Sequence, residues 1–320
     1  MRKILESRLK IAFILVLLLA IVLVIATAVG SEQLSFFNLT DQQRTILFDI
    51  RIPRVLLGAC VGAALAVSGA ALQSLLRNPL AEPYLLGVSN GAALGTMLAF
   101  VFFEEFEWSR PMLAFAGAGI ATFAVYQMAK SRTGMNVERL VLSGVIVTTF
   151  LSSILVLLTS LLDATKLRSF TFWLLGDLSQ ATINGVYLTL AVSVVGTIIL
   201  SSQAKSLNLL MIGERDAFDL GVEVGRVRLI VFVVVSVLVG STVAASGSVG
   251  YVGLIVPHLV RLAVGSDNRL VVPFSAVAGA IFVVLADTVA RTAIAPRELP
   301  VGAITALIGA PMFIYLLKRN

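Results

Sequence analysis

Apolar runs long enough to cross a lipid bilayer recur along the whole of this 320-residue chain. A transmembrane helix needs about 20 consecutive, largely apolar residues. Hydrophobic residues make up 58% of the sequence and charged residues only 13%, about half the charged share of a typical globular protein. Because so few charges cannot cover a water-facing surface, the composition excludes a soluble enzyme, a disordered regulator and a secreted disulfide scaffold. We predict an all-α membrane protein that forms one transmembrane domain over 1–320. The predicted helices, about ten, are 11–29, 55–76, 84–103, 111–129, 140–162, 186–203, 229–246, 251–264, 270–290 and 301–317.

Basic residues predict the orientation, because loops on the cytoplasmic side of membrane proteins carry an excess of lysine and arginine. With ten crossings and the N-terminus inside, most of the 24 basic residues fall in inner segments, and the acidic loop 104–107 falls outside. If 251–264 did not cross, Lys318 and Arg319 would move to the outer side. The consistent topology therefore places both termini in the cytoplasm. Since the net charge of +6 is scattered over short loops, we predict no nucleic-acid partner.

Cysteine and histidine are too few to build a metal site from this chain alone. Cys60 is the only cysteine and His258 the only histidine in the sequence. The single thiol excludes an intrachain disulfide and a cysteine metal cluster, and structural or catalytic zinc sites need three or four protein ligands. We therefore predict neither a bound metal nor another cofactor.

Two segments interrupt the apolar pattern. The prolines of NPLAEP, 78–83, must end the preceding helix, and the run SGSVGYVG, 246–253, forces a tight turn. Irregular backbone at membrane depth is tolerated only inside the protein or along a cavity. A faint similarity between Val67-Ser68-Gly69 and Ala245-Ser246-Gly247 indicates two five-helix halves, which would be inverted repeats because five is odd.

Small residues recur at helical spacing in the second and third predicted helices. Such spacing is typical of helices whose backbones approach closely. The residues are Gly58, Gly62, Ala66 and Gly69 in the second helix, and Gly87, Gly91 and Gly95 in the third.

The longest inner loop, 204–228, mixes large apolar residues with charged ones. This pattern is typical of short amphipathic helices separated by Gly213 and Gly221. The alternative is a connector that lies on the membrane surface. Because a connector has little reason to place so many large apolar residues among charges, we favour a docking surface for another protein.

The chain contains no G-x-x-x-x-G-K-[ST] motif with which it could bind ATP itself, and no motif of an intramembrane enzyme. We therefore predict a transport protein, not an enzyme, whose docked partner supplies the energy. Two alternatives are an ion-coupled secondary transporter with broken helices and a purely structural scaffold. The scarcity of ionisable residues within the spans argues against the first, and the broken helices argue against the second.

Three long stretches of sequence carry a resemblance to a known family. They are 51–95, RIPRVLLGACVGAALAVSGAALQSLLRNPLAEPYLLGVSNGAALG; 246–265, SGSVGYVGLIVPHLVRLAVG; and 286–311, ADTVARTAIAPRELPVGAITALIGAP. Together with the inner-loop segment Gly213–Gly221, they resemble the membrane permease of bacterial ABC importers for iron-siderophores, haem and vitamin B12. The resemblance covers nearly the whole chain.

The resemblance implies the permease fold of a type II ABC importer in the bacterial cytoplasmic membrane. Two copies of the chain would form a homodimer with the translocation pathway at their interface. Two ATP-binding subunits would dock on the inner loop, and an extracytoplasmic substrate-binding protein would deliver a metal chelate. An iron(III)-siderophore is the expected cargo, with haem and cobalamin as alternatives. Such cargo arrives with its metal already coordinated, so the pathway needs no metal ligands.

The resemblance also implies roles for individual residues. In the family, arginines on the outer face pair with glutamates of the binding protein, and the matching positions are Arg51, Arg54 and Arg291. The turn at Asn78 and Leu80 resembles the cytoplasmic gate of the family. A second gate loop corresponds to 134–137, which lacks the small hydroxylated pair of some members. The residues expected to couple to the ATPase are Leu210, Gly213, Glu214, Ala217, Leu220 and Gly221.

Overall fold

The computed structural model describes residues 2–30, 40–103, 106, 108–131 and 134–319. Glu104, Glu105 and Glu107 of the predicted outer loop, and the inner-loop residue Arg132, lie outside the described residues. The helices are α1 (Arg2–Ala28), α2 (Asp41–Thr45), α3 (Ile52–Leu75), α4 (Val88–Phe102), α5 (Ser109–Ala129), α6 (Val137–Thr159), α7 (Ala164–Leu174), α8 (Ile183–Ser202), α9 (Ala204–Ile212), α10 (Glu214–Asp219), α11 (Val224–Ser246), α12 (Val252–Val264), α13 (Asn268–Thr292) and α14 (Val301–Arg319).

Short irregular elements join some of these helices. A π-helical turn, Ile46–Arg51, connects α2 to α3, and a 3₁₀ turn, Pro83–Leu86, precedes α4. Between α5 and α6, the two-residue strands β1 (Lys130–Ser131) and β2 (Gly134–Met135) pair antiparallel, with Lys130 opposite Met135. The predicted inner loop 204–228 contains α9 and α10, separated by Gly213 as expected.

The all-α membrane fold predicted from composition is confirmed. Seven stretches of the described chain are long and apolar enough to cross a membrane, and three shorter apolar helices accompany them. The seven are Leu9–Ala28, Asp41–Leu75, Ser109–Ala129, Val137–Thr159, Ile183–Ser202, Val224–Ser246 and Asn268–Thr292, and the three are Val88–Phe102, Val252–Val264 and Val301–Tyr315. These ten helices follow the order of the ten predicted apolar runs.

Helix α3 forms the centre of the bundle. Twenty of its 24 residues are buried, and it packs against α13, α11, α8 and α12. The side chain of Gln73 ties α3 to α12, because its Nε2 donates to the carbonyl oxygens of Gly253 and Leu254, at 3.1 Å each, while its Oε1 accepts from Arg261. A helix surrounded on all sides has no polar face, which explains why its sequence is apolar all round.

Two glycines of the predicted stripe on α3 lie at close helix crossings. A Cβ atom on Gly62 would lie 2.1 Å from the carbonyl oxygen of Gly279 in α13, and one on Gly69 would lie 1.9 Å from that of Gly253 in α12. The third-helix glycines Gly91 and Gly95 contact the α5 backbone in the same way. Close packing of this kind holds helices together in lipid, where no hydrophobic force acts between them.

We expect the substitution Gly62→Ala to destabilise the protein by roughly 1–3 kcal/mol or more, the usual cost of overpacking. The added methyl group would meet backbone, which cannot rotate away. Thermal unfolding of the detergent-solubilised chain measures the effect. Gly119→Ala in α5 is the matched control, because a Cβ atom there meets nothing within 4 Å. Equal unfolding temperatures for the two variants would contradict the close-contact explanation.

Candidate functional site

At one end of α3 and α13, five charged residues form a compact group that we call the outer cluster: Arg51, Arg54, Asp287, Arg291 and Glu298. The guanidinium of Arg54 donates to the Asp287 carboxylate from Nε, at 3.1 Å to each oxygen, and from Nη2, at 3.0 Å to Oδ1. Its Nη1 donates to Glu298 Oε2 at 2.7 Å. Arg54 and Asp287 are buried, whereas the Glu298 side chain is 41% exposed.

The other two arginines of the outer cluster hold the end of α1. Arg51 Nη1 donates to the carbonyl oxygen of Ala28 at 2.9 Å, and Arg291 Nη2 donates to that of Ala26. The last carbonyl groups of a helix have no partner within the helix and carry the negative end of its dipole. The two cations therefore satisfy the end of α1 and fix it against α3 and α13.

The structure thus brings together the three arginines that the sequence analysis singled out. All three are buried, with exposures of 4–5%, and their bonds go to partners within this chain. Breaking a buried ion pair by removing one partner is strongly destabilising, at about 3–5 kcal/mol. The Arg54–Asp287 pair is therefore part of the fold. Glu298 is the exposed carboxylate of the group, and the sequence analysis did not include it.

A second region joins the two irregular segments predicted at 78–83 and 246–253. Glu82 Oε1 accepts from the backbone N–H of Tyr251 at 3.0 Å. The Tyr84 hydroxyl accepts from the Val249 N–H at 2.9 Å and donates to the Val249 carbonyl at 3.0 Å. Burial raises the pKa of Glu82, and the hydrogen bond from Tyr251 opposes that shift. Side chains at the first break therefore satisfy backbone groups of the second, as a water-poor interior requires.

The candidate gate residues lie at the exposed start of this region. Asn78 Oδ1 accepts from the backbone N–H of Leu80 at 2.9 Å, an arrangement that stabilises a tight turn. Both residues are exposed, and the Leu80 side chain does not pack into the core. In the second gate loop, Asn136 caps α6 by accepting from the N–H of Arg139 at 3.0 Å.

Helices α9 and α10 form the surface at the opposite end from the outer cluster. Asn208 anchors α9 to α13: its Nδ2 donates to Asp267 Oδ1 at 2.7 Å, and its Oδ1 accepts from the N–H of Asn268 at 2.8 Å. The Arg269 side chain, together with the hydrogen bond from Asn208, lowers the pKa of Asp267 to about 2. The stabilisation that the Asp267 carboxylate gains from these two partners is therefore fully present above pH 3.8, the ordinary pKa of an aspartate. It is lost as the pH falls through about 2.

The six candidate coupling residues do not share one face. Leu210 and Ala217 are buried within the chain. Glu214 is half-exposed and accepts from Arg228, and Gly213 lies between the two helices. Leu220 is exposed and Gly221 follows it at the surface. The three most exposed large apolar side chains of this segment are Ile212, Phe218 and Leu220, with exposures of 69%, 71% and 64%; we call these three residues the apolar ridge.

The candidate sites are a charged cluster and an exposed apolar surface, and neither resembles a metal centre. Among the described residues, no group of three or more His, Cys, Asp or Glu side chains could hold a metal ion. The outer cluster and the apolar ridge instead lie at opposite ends of a bundle of apolar helices.

Comparison with known proteins identifies the kind of machinery. The family model described as the FecCD transport family matches residues 12–319. The chain is 44% identical over 285 residues to the cobalamin import system permease BtuC of Halobacterium salinarum, covering 88% of this chain and 76% of the relative. It is 38% identical over 325 residues to the hemin transport system permease HmuU of Yersinia pestis, covering 98% and 97%.

A solved structure supports the same placement. An inward-facing transporter assigned to the metal-chelate ABC type superposes with a TM-score of 0.88 and 36% sequence identity. The match covers 97% of this chain and 99% of that one. The arrangement of helices described above is therefore shared with that transporter over nearly the whole of both chains.

Proposed function

This chain belongs to the FecCD transport family, and from that premise we propose that it imports a metal chelate as the membrane permease subunit of an ABC transporter. It is a permease, not an enzyme, and ATP hydrolysis belongs to a separate subunit of such importers. The observation that carries the proposal is the family match over nearly the whole chain, together with a structural likeness that covers 97% of it.

The proposed cargo within this class is an iron(III)-siderophore. The sequence resembles importers of three kinds of chelate, two of which contain iron, and the hemin permease of Yersinia pestis aligns over 98% of this chain. Cobalamin is the second candidate, because the relative at 44% identity is a cobalamin import permease. All three cargoes have their metal coordinated before they arrive, in keeping with a chain that has one histidine and one cysteine.

The proposed assembly has one partner at each end of the membrane domain. A homodimer of this chain, in the bacterial cytoplasmic membrane with its termini inside, encloses the pathway. Two ATP-binding subunits dock on α9 and α10, and Asn78 and Leu80 close the cytoplasmic end of the pathway. The exposed apolar ridge supports the docking proposal, because isolated monomers seldom expose several large apolar side chains together outside the membrane.

The outer cluster is the proposed docking site of an extracytoplasmic binding protein. Arg51, Arg54 and Arg291 are buried, so a glutamate of that protein must replace a group that is already bonded to one of them. Glu298 is the exposed carboxylate bonded to Arg54, whereas Asp287 is buried beneath it. We therefore infer that docking exchanges Glu298 for a partner carboxylate and leaves the Arg54–Asp287 pair intact.

Transport of labelled chelates into proteoliposomes tests the proposed function. We expect uptake only when an ATP-binding subunit, ATP and a binding protein are present, with a preference for an iron(III)-siderophore over hemin and cobalamin. Uptake driven by a sodium or proton gradient without an ATPase would identify an ion-coupled secondary transporter. A preference for cobalamin would show that the cargo is cobalamin and not an iron(III)-siderophore, but it would agree with the proposal that the protein is part of an ABC importer.

Coupling to the ATPase is tested by placing a charge on the apolar ridge. We expect Phe218→Asp and Leu220→Asp to reduce complex assembly and ATP-dependent uptake at least about tenfold, because desolvating an unpaired charge costs several kcal/mol. Lys318→Asp, an exposed position near the end of α14 and outside α9 and α10, is the control. Co-purification of the ATPase with each variant measures assembly. Normal assembly of both ridge variants with the ATPase would rule out the apolar ridge as its docking site.

Docking of the binding protein is tested at Glu298. We expect Glu298→Gln to tighten binding up to about fivefold, because the partner carboxylate no longer displaces a salt bridge worth roughly 0.2–1 kcal/mol. Asp49→Asn removes another exposed carboxylate from the same side and is the control. Binding to the nanodisc-embedded complex, measured by surface plasmon resonance, gives the affinities. Unchanged affinity after Glu298→Gln would contradict the carboxylate exchange.

A further inference from the structure

A groove of about 310 Å³ runs between α5 and α11 on the outside of the bundle. Its α5 wall is a single helical stripe formed by Phe115, Gly119, Thr122 and Tyr126. The spacing of these residues, four, three and four positions, keeps them on one face of the helix. Lys130 follows the end of α5, four residues after Tyr126, and is exposed.

The α11 wall repeats this pattern in the opposite chain direction. Leu229, Val233, Val237 and Gly240 line the groove at spacings of four, four and three residues. The residue that precedes this stripe by one turn is Arg226, which is exposed. Both walls therefore end in a basic residue, and both do so at the end of the bundle that carries α9 and α10.

The lining of the groove is mostly apolar, and two of its three hydroxyl groups bond within their own helices. Thr122 Oγ1 donates to the carbonyl oxygen of Ala118 at 2.8 Å, and Ser236 Oγ donates to that of Phe232 at 2.6 Å. Both hydroxyls are thus occupied by their own helices. Because Gly119 has no side chain and nothing lies within 4 Å of where its Cβ would be, the groove stays open at its middle.

The length of the groove matches one leaflet of a bilayer. From Phe115 to Tyr126 and from Leu229 to Gly240, each wall rises by about 17 Å at 1.5 Å per residue. Half of a hydrocarbon core of about 30 Å is close to this length. An extended acyl chain can therefore lie along the groove while its headgroup remains at the membrane surface.

The charges at the end of the groove identify the headgroup. Lys130 and Arg226 are cations one turn outside the apolar walls, at the level where a lipid phosphate lies. Arg226 has an acidic neighbour, Glu223, but that pair is 3.7 Å apart and more than 70% exposed, so it competes weakly with a phosphate. Basic residues at the cytoplasmic surface attract anionic lipids by about 1 kcal/mol each.

We propose that this groove binds an anionic phospholipid of the cytoplasmic leaflet, with one acyl chain between α5 and α11 and the phosphate between Lys130 and Arg226. The site is separate from the outer cluster and from the apolar ridge. It gives the subunit a structural lipid at the side that faces the membrane, close to the start of α11.

Native mass spectrometry of the detergent-solubilised chain tests the proposal, with dioleoyl-phosphatidylglycerol as the probe and dioleoyl-phosphatidylcholine as its neutral counterpart. We expect the wild type to retain phosphatidylglycerol in preference to phosphatidylcholine. Gly119→Leu fills the groove and should abolish retention of both lipids at this site. Ala116→Leu, an exposed position on α5 outside the groove, is its control and should bind as the wild type does.

The headgroup contribution is tested with the double variant Lys130→Gln and Arg226→Gln. We expect its preference for phosphatidylglycerol to fall by about 30-fold at low salt, the effect of two surface cations, while phosphatidylcholine binding is unchanged. Lys205→Gln removes an exposed cation elsewhere on the same side and is the control. The proposed lipid site would be wrong if the double variant kept the wild-type preference for phosphatidylglycerol, or if Gly119→Leu retained as much lipid as the wild type. Loss of a dimer in Gly119→Leu would show that a second copy of the chain occupies the groove instead.

Discussion

The packing of α3 against α13 is the contact on which the rest of the structure depends. At Gly62 and Gly279 the two backbones touch, and at the outer end Arg54 and Asp287 form a buried ion pair between the same helices. Lipid offers neither water for the charges nor a hydrophobic force to press the helices together. Close backbone contact and pairing of the buried charges therefore do both tasks within the protein.

The same requirement explains how the irregular segments are tolerated. The breaks after α3 and after α11 leave backbone groups without helical partners, and side chains such as Glu82 and Tyr84 bind them across the interior. The charged ends of the bundle follow the rule as well, since Arg51 and Arg291 satisfy the last carbonyl groups of α1. At Arg54 the same pairing extends to the surface, where this buried arginine meets the exposed Glu298.

Most of the fold could be predicted from the sequence, because the length of an apolar run is set directly by the bilayer. The predicted run 55–76 nevertheless starts later than the continuous stretch Asp41–Leu75, since Asp49, Arg51 and Arg54 interrupt its apolar character. The amphipathic helix α7 was not predicted, because eleven residues of mixed polarity look like a loop. Its first turn is held by Asp163, which caps the helix.

The candidate sites could be located from the sequence but not resolved into contacts. The arginines of the outer cluster were identified, yet the pairing of Arg54 with a residue 233 positions away depends on tertiary packing that no local pattern contains. Similarly, α9 and α10 have nine and six residues, too few for periodicity to separate Leu210 and Ala217, which point inward, from Phe218 and Leu220. The orientation of the termini and the relation of the two halves stay predictions.

The anchoring of α9 has a mechanical consequence. Asn208 holds the N-terminal end of α13 through Asp267 and Asn268, and Asn268 Oδ1 accepts from Ser74 near the end of α3 at 2.8 Å. A force applied to α9 is therefore transmitted to the ends of both central helices and is not absorbed by a slack linker. These two helices, α3 and α13, also carry the Arg54–Asp287 ion pair at their far ends. A tilt of the two helices by a few degrees would therefore displace the outer cluster and the α9–α10 surface at the same time.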